Sequence, residues 1–243
     1  MSHELRRAPR LSARADVLHG FTTRFDGGGQ RMDLGTSATS EAWRCATELL
    51  GMPGAPVARV RQVHGAVVHV VDEGGVPGDG DALVTERRGL VLAVRMADCV
   101  PVFLVLGRPA VAIGAAHAGW RGVAAGVLSA TVRALQTLGP DQPIHAVIGP
   151  AICGAHYEVG EEVIEAICAS GVPESAFVAR LPSRPRPLAD VRSAARWQLS
   201  HLGFDVDPIE RLTDCTFEDP DLWSHRRDGS SRGTLAGLLA MVP

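Results

Sequence analysis

Lysine is absent from this 243-residue chain; all 24 basic residues are arginine. That excludes a lysine Schiff base, a lysine-anchored pyridoxal phosphate and the lysine of a P-loop. Any anion-binding side chain must therefore be arginine or histidine, and the guanidinium fork suits bidentate phosphate. Charge of one sign is also lacking: the formal net charge is −3 and the pI about 6.3, so no basic field invites nucleic acid. No apolar run approaches the ~18 residues of a membrane span. There is no internal repeat, no low-complexity linker, no Cys-x-x-Cys, no His-Glu-x-x-His and no His-x-His. The five cysteines, at 45, 99, 153, 168 and 215, are odd in number and scattered, which is not a disulfide framework and fits a reducing, cytoplasmic setting. The N-terminus is arginine-rich but has no apolar h-region, so a frayed tail over residues 1–20 is expected rather than a signal peptide.

What is present suits a well-buried core: 46% hydrophobic residues in a length that fits one large domain or two small ones. Val57 to Val71 reads as two strands around a His64-Gly65 turn. Leu90–Val94, Val102–Leu106, Ala110–Ala116 and Ile144–Ile148 read as strands, as do Asp207–Leu212 and Leu235–Val242. One helix is expected over Gly119–Leu138, because Val123, Val127, Leu128, Thr131, Val132 and Leu135 share a face at 3.6 spacing. Glu161–Cys168 and Asp190–Leu202 are further helices, the second capped by Asp190. Strands and helices mixed without regular alternation predict an α+β fold.

Three short segments each offer one borderline or soft metal ligand: Gln62-Val63-His64-Gly65, Ala97-Asp98-Cys99-Val100-Pro101 and His117-Ala118-Gly119-Trp120-Arg121-Gly122. His64, Cys99 and His117 make a two-histidine, one-thiolate set that leaves a fourth position open, as in catalytic rather than structural zinc sites. Such donors favour zinc or copper over magnesium or calcium, with zinc the first choice. Taken singly, His64 is equally a turn residue, Cys99 a small buried hydrophobe and His117 a hydrogen-bonded strand-end histidine.

In this order the three segments resemble the signature of the bacterial laccase-domain proteins, also called the multicopper polyphenol oxidase or purine nucleoside phosphorylase family. Further matches are Gly78-Asp79-Gly80-Asp81-Ala82, Gly149-Pro150-Ala151-Ile152, Tyr157-Glu158-Val159-Gly160, Asp214-Cys215-Thr216 and Ser224-His225-Arg226-Arg227-Asp228-Gly229. The resemblance covers about Phe21 to the C-terminus, with Phe21-Thr22-Thr23-Arg24 matching a family strand. It implies one catalytic domain over 21–243, mixed sheets packed against helices in a fold similar to a deamidating (CNF-like) toxin domain, and metal ligands at His64, Cys99 and His117. Two departures stand out. Ser230-Ser231-Arg232-Gly233 replaces the family's Thr-Gly-Arg, which puts a role for Arg232 in doubt, and Asp33-Leu34-Gly35 replaces Asn-Leu-Gly.

Around the metal set, Arg121 opens the helix after His117 and is the first choice for phosphate, with the helix start assisting. Asp98 is either an acceptor that orients a ligating histidine or a satisfied turn carboxylate. Gln62 either lines the site or bonds backbone. Trp120 either stacks on a base or packs in the core. Glu158 is a candidate general acid or base, and Ser224, Arg226 and Arg227 are candidate pocket-wall contacts to ribose or phosphate. The resemblance implies phosphorolysis of adenosine, inosine, guanosine and methylthioadenosine, with deamination of adenosine. Bound zinc, which lowers the pKa of its water to ~7, suits the deamination. Copper-dependent polyphenol oxidation is the alternative, weakened because nine histidines without a His-x-His pair make a trinuclear cluster hard to build. A Cys/His hydrolase using Cys99 as nucleophile and a metal-stabilised binding protein are the remaining readings.

Overall fold

The computed structural model describes residues 5–243. In chain order the elements begin with α1 (Pro9–Ser12), β1 (Val17–Phe21), α2 (Ser40–Leu50), β2 (Val57–Arg59), β3 (Val68–Val70) and β4 (Ala82–Thr85). The central stretch holds β5 (Val91–Met96), β6 (Val100–Leu106), β7 (Ala112–Ala118), α3 (Trp120–Ala124), α4 (Val127–Leu138) and β8 (Ile144–Ile148). Then come α5 (Glu161–Ala169), β9 (Val178–Ala179), β10 (Leu188–Ala189), α6 (Val191–Ser200), β11 (Val206–Arg211), α7 (His225–Asp228) and β12 (Leu235–Met241).

Two mixed sheets dominate, in the orders β1-β12-β5-β2 and β11-β8-β6-β7-β4-β3, and β9 pairs with β10 as a small ribbon. β6 shows why its sequence is apolar throughout. Side chains alternate between faces, and both faces are covered. Val102, Leu104 and Leu106 meet Val127, Leu128, Val132 and Leu135 of α4, while Phe103 and Val105 meet Leu92, Val94 and Leu239 of the other sheet. The outer face of the four-stranded sheet is covered by α2, through Trp43, Ala46 and Leu50 against Ala93 and Leu238. The result is four layers, helix–sheet–sheet–helices, within one α+β domain, as the sequence predicts. No helix among the described residues is long and apolar enough to cross a membrane.

Four expectations change. Residues 1–4 of the expected tail lie outside the described residues, but from Leu5 onward the segment is built in: Leu11 is fully buried and β1 pairs antiparallel with β12. The resemblance places a strand at Phe21–Arg24, and the strand instead ends at Phe21. β2 and β3 are not partners across a turn, because β2 joins β5 in one sheet and β3 joins β4 in the other. The helix expected over Gly119–Leu138 is broken in two at Gly126, which adopts φ 82°, a left-handed conformation that favours glycine.

Candidate metal centre

Two chain crossings between the sheets create the site. β2 and β5 run parallel, so their C-terminal ends lie together. After β2 the chain crosses to the six-stranded sheet through His64; after β5 it crosses through Ala97–Cys99 into β6. The antiparallel register of β6 with β7 sets Pro101 opposite His117 and Val100 opposite Ala118, which brings the end of β7 to the start of β6. The ligand atoms of His64, Cys99 and His117 consequently all lie within 4.8 Å of one another. The Cys99 sulfur is 3.9 Å from His64 Nε2, and the two imidazoles meet edge-to-face at 4.9 Å.

Backbone geometry aims these groups. His64 (φ 60°) and Asp98 (φ 89°) both occupy the left-handed region, uncommon outside glycine. The His64 turn is held by the fully buried carboxylate of Asp81. That carboxylate accepts the N–H groups of Val63 (3.3 Å), His64 (3.0 Å) and Gly65 (2.6 Å). It also pairs with His117 Nδ1 at 2.9 Å, leaving the other ring nitrogen of His117 free to be a ligand. Burial works against the Asp81 charge, but His117 and the Gly65 and His64 N–H groups hold its pKa below the ordinary carboxylate value. Gly119 completes the cradle: a Cβ there would lie 3.0 Å from the Cys99 sulfur and 3.1 Å from His64 Cδ2. At Gly122 a Cβ would lie 3.2 Å from the Gly65 carbonyl, so glycine lets α3 approach the His64 turn.

Burial raises the cost of a Cys99 thiolate, yet the adjacent His117 charge and hydrogen bonds from His117 and His64 outweigh it, and the thiol pKa falls. Burial likewise opposes a charged His117, but Cys99 and Asp81 push its pKa up. A site that stabilises a thiolate beside two imidazoles is the donor set of zinc or copper, and the glycine cradle keeps its centre clear of side chains. The residues present therefore fit such an ion.

The three residues sit beside a cavity of about 300 Å³, at the small end of ligand pockets. His64, Asp98, Cys99, Trp120, Arg121, Ile152, Tyr157, His225 and Arg226 are among its lining residues. Arg121 is exposed, its guanidinium 4.3 Å from the Trp120 ring, and Arg226 lies 5.0 Å from the Tyr157 ring. Burial pushes the Tyr157 hydroxyl up to about 12, aided by the Cys99 and Asp98 charges, so it remains a neutral donor. A hollow of about 380 Å³ lined by Arg31, Asp33 and Glu41 shares no residue with the metal set.

Several expected residues fall elsewhere. Asp98 orients no histidine; its carboxylate accepts Thr216 Oγ1 (2.6 Å) and the Arg226 N–H (2.7 Å) while facing the cavity. Gln62 pairs with the Arg95 backbone, donating to its carbonyl (2.8 Å) and accepting from its N–H (2.7 Å), outside the cavity lining. Ser224 is fully buried and caps α7 by accepting the Arg227 N–H. Arg227 turns away to the carbonyls of Thr216, Phe217 and Asp219 and the carboxylate of Asp228. Glu158 contributes its backbone carbonyl to Arg226 (2.9 Å), and its neighbour Tyr157 takes the place at the cavity. The helix bearing Arg121 is five residues long, too short to supply a sizeable dipole. Arg232 only reaches the Gly229 carbonyl. Sequence reasoning missed Asp81, His225 and Tyr157 as site residues, although all three lie inside the quoted motifs; Asp81 carried the signal of a carboxylate that follows a glycine and directly precedes a buried strand.

Residues 18–242 match the family described as "Multi-copper polyphenol oxidoreductase laccase". A Deinococcus radiodurans protein called "Purine nucleoside phosphorylase" is 36% identical over 250 residues, covering 98% of this chain and 92% of that protein. A Streptomyces coelicolor protein, also called a purine nucleoside phosphorylase, is 40% identical over 235 residues, covering 90% of this chain and 93% of its own length. Among solved structures, a Neisseria meningitidis protein superposes with a TM-score of 0.78 at 34% identity, covering 95% and 96% of the two chains. YlmD from Geobacillus stearothermophilus gives 0.83 at 28% identity, covering 94% and 93%. With this match spanning the site and both sheets, the chain belongs to the multi-copper polyphenol oxidoreductase laccase family.

Proposed function

We propose that this protein is a cytoplasmic, zinc-dependent purine nucleoside phosphorylase that acts on adenosine, inosine, guanosine and methylthioadenosine and also deaminates adenosine. The observation that carries the reading is the convergence of His64, Cys99 and His117 beside a cavity with two arginines and two aromatic rings. The relatives named as purine nucleoside phosphorylases support the substrate class. His64, Cys99 and His117 would hold the zinc, which when bound supplies Lewis acidity at the cavity.

The chain's own residues supply the rest. Asp81 fixes the His117 ring and the His64 turn, so both imidazoles face one centre. Arg121 and Arg226 provide the cationic side of the cavity for phosphate. Trp120 and Tyr157 offer ring faces to a purine, and the neutral Tyr157 hydroxyl can hydrogen-bond to base or ribose. In phosphorolysis a phosphate oxygen bonds to ribose C1′ as the bond from C1′ to the purine nitrogen breaks; the base leaves protonated and ribose 1-phosphate remains. In deamination water replaces ammonia at the purine C6.

The test supplies each of the four nucleosides with and without phosphate. Free base and ribose 1-phosphate (5-methylthioribose 1-phosphate from methylthioadenosine) should form only with phosphate, while inosine should form from adenosine either way. No product from any of them would overturn the proposal. Copper is the alternative metal, with polyphenol oxidation as its activity, but the two metal-capable groups among the described residues contain three histidines, too few for a trinuclear copper centre. A second reading, a Cys/His hydrolase, is favoured by the lowered thiol pKa of Cys99 beside His117, itself backed by Asp81. It needs a metal-free thiolate, so one tightly held zinc at this site would count against it.

A further inference from the structure

A second cluster of metal-binding side chains lies outside this centre. Cys153, His156, Cys215 and Glu218 present one ligand atom each, all within 4.8 Å of one another. The Cys153 sulfur is 3.1 Å from His156 Nδ1, and that nitrogen is 3.4 Å from Glu218 Oε1. The Cys215 sulfur accepts the Cys153 N–H at 3.2 Å. All four cysteine and histidine–glutamate partners come from two tight turns of the same spacing, Cys-x-x-His and Cys-x-x-Glu. The His156 N–H closes the first turn on the Cys153 carbonyl (3.0 Å), and the Glu218 N–H closes the second on the Cys215 carbonyl (3.2 Å). A bridge between Ala151 and Cys215 holds the turns side by side, and His156 stacks on Phe217 at 4.6 Å.

We propose that Cys153, His156, Cys215 and Glu218 form a second zinc site, structural in type. Four protein ligands with two thiolates and an imidazole close a tetrahedron without leaving a position for substrate, unlike the three-ligand centre at Cys99. Cys215 is buried while the Glu218 side chain is 60% exposed, so the ion can enter from the solvent side and the carboxylate can close over it. The site's position gives it a purpose. The first turn lies between Ile152 and Tyr157, both on the cavity wall, and Thr216, next to Cys215, donates to Asp98. An ion here would tie the Tyr157 segment to the Asp98 turn that carries Cys99.

The inference stands apart from the proposed nucleoside chemistry, and metal counting separates the two. Zinc is measured per chain in protein purified anaerobically, then chelated and reloaded. The wild type should hold two ions, Cys99→Ala one, Cys153→Ser/Cys215→Ser one, and the triple variant none. Addition of zinc should raise Tm in Cys99→Ala and leave the triple variant unmoved. Should the triple variant not fold, cobalt titration of Cys99→Ala decides: thiolate-to-cobalt charge-transfer absorption saturating at one equivalent supports the site. A metal-free Cys99→Ala protein without that absorption overturns it, as does a Cys153–Cys215 disulfide in the anaerobic protein. A single ion lost only on Cys153→Ser/Cys215→Ser would keep this site and sink the catalytic one.

Discussion

Asp81→Asn is the substitution that most sharply separates the roles of the two site aspartates. Asp81 is fully buried and accepts on both oxygens: Oδ1 from the His64 N–H and His117, Oδ2 from the Val63 and Gly65 N–H groups. An asparagine must turn its NH₂ toward one of those pairs, setting donor against donor. Hydrogen bonds to a charged group contribute about 1.5–3 kcal/mol each, so losing two costs about 3–6 kcal/mol. At roughly 2–4 °C per kcal/mol for a chain of this size, Tm should fall by roughly 6–24 °C. Because the His64 turn and the His117 ring lose their anchor, zinc affinity should fall about 10–100-fold or more. Competition with a coloured chelator reads the affinity and calorimetry reads Tm. Asp98→Asn is the control, since Asp98 bonds to Thr216 and Arg226 and to no histidine; zinc affinity there should stay close to that of the wild type. Equal affinity losses in the two variants, or wild-type affinity in Asp81→Asn, would refute the reasoning.

Other outcomes follow from the same geometry. Gly119→Ala places a Cβ against the Cys99 sulfur and His64, so zinc content and nucleoside turnover should drop sharply while Tm changes little. Gln62→Ala removes two bonds to the Arg95 backbone; urea unfolding should show a loss of about 1–2 kcal/mol with kcat retained. Arg121→Ala should raise KM for phosphate with the fold intact, whereas Arg227→Ala, which strips bonds from four carbonyls, should lower Tm. Burial, then the charges of Arg7 and His145, hold the His19 pKa down to about 4, and its Nε2 accepts the Ala8 N–H. The unfolded chain takes up that proton near pH 6.5. The contribution of His19 is therefore complete above about 6.5 and lost as pH falls toward about 4, a decline that His19→Gln should flatten in denaturation curves measured across this window.

The central strands β6, β7 and β8 of the six-stranded sheet were legible because both faces of each are covered, leaving continuous apolar runs such as Val102–Leu106, whereas the short strand β4 escaped. The end of the helix at Gly126 was hidden by small residues: Ala124-Ala125-Gly126 keeps the periodicity while the backbone turns. β1 escaped because its arginine-rich approach resembles a tail, yet its burial is supplied by β12, more than 200 residues away. The candidate set His64, Cys99 and His117 was picked out by residue type together with the family resemblance, but the means of its assembly was not legible. His64 and Cys99 sit at two crossings between sheets, and sheet membership is a long-range property that local pattern does not carry. The same cause explains why the placement of Gln62 stayed open and why Ser224 and Arg227 read as pocket wall. Each has a polar side chain that looks free in sequence and is consumed by backbone groups far along the chain or across a turn. Cys153 and Cys215 lie 62 residues apart with no ligand spacing to link them, and only the fold brings their turns together.

The central claim is that His64, Cys99 and His117 hold a zinc ion that nucleoside cleavage requires. Its most direct measurement is zinc content and adenosine turnover on one purified sample, wild type beside Cys99→Ala, with and without phosphate. The expected result is phosphate-dependent release of adenine and ribose 1-phosphate by the wild type, with both that activity and one zinc per chain missing from the variant. A variant that keeps its full zinc content, or that releases adenine at the wild-type rate, would contradict it.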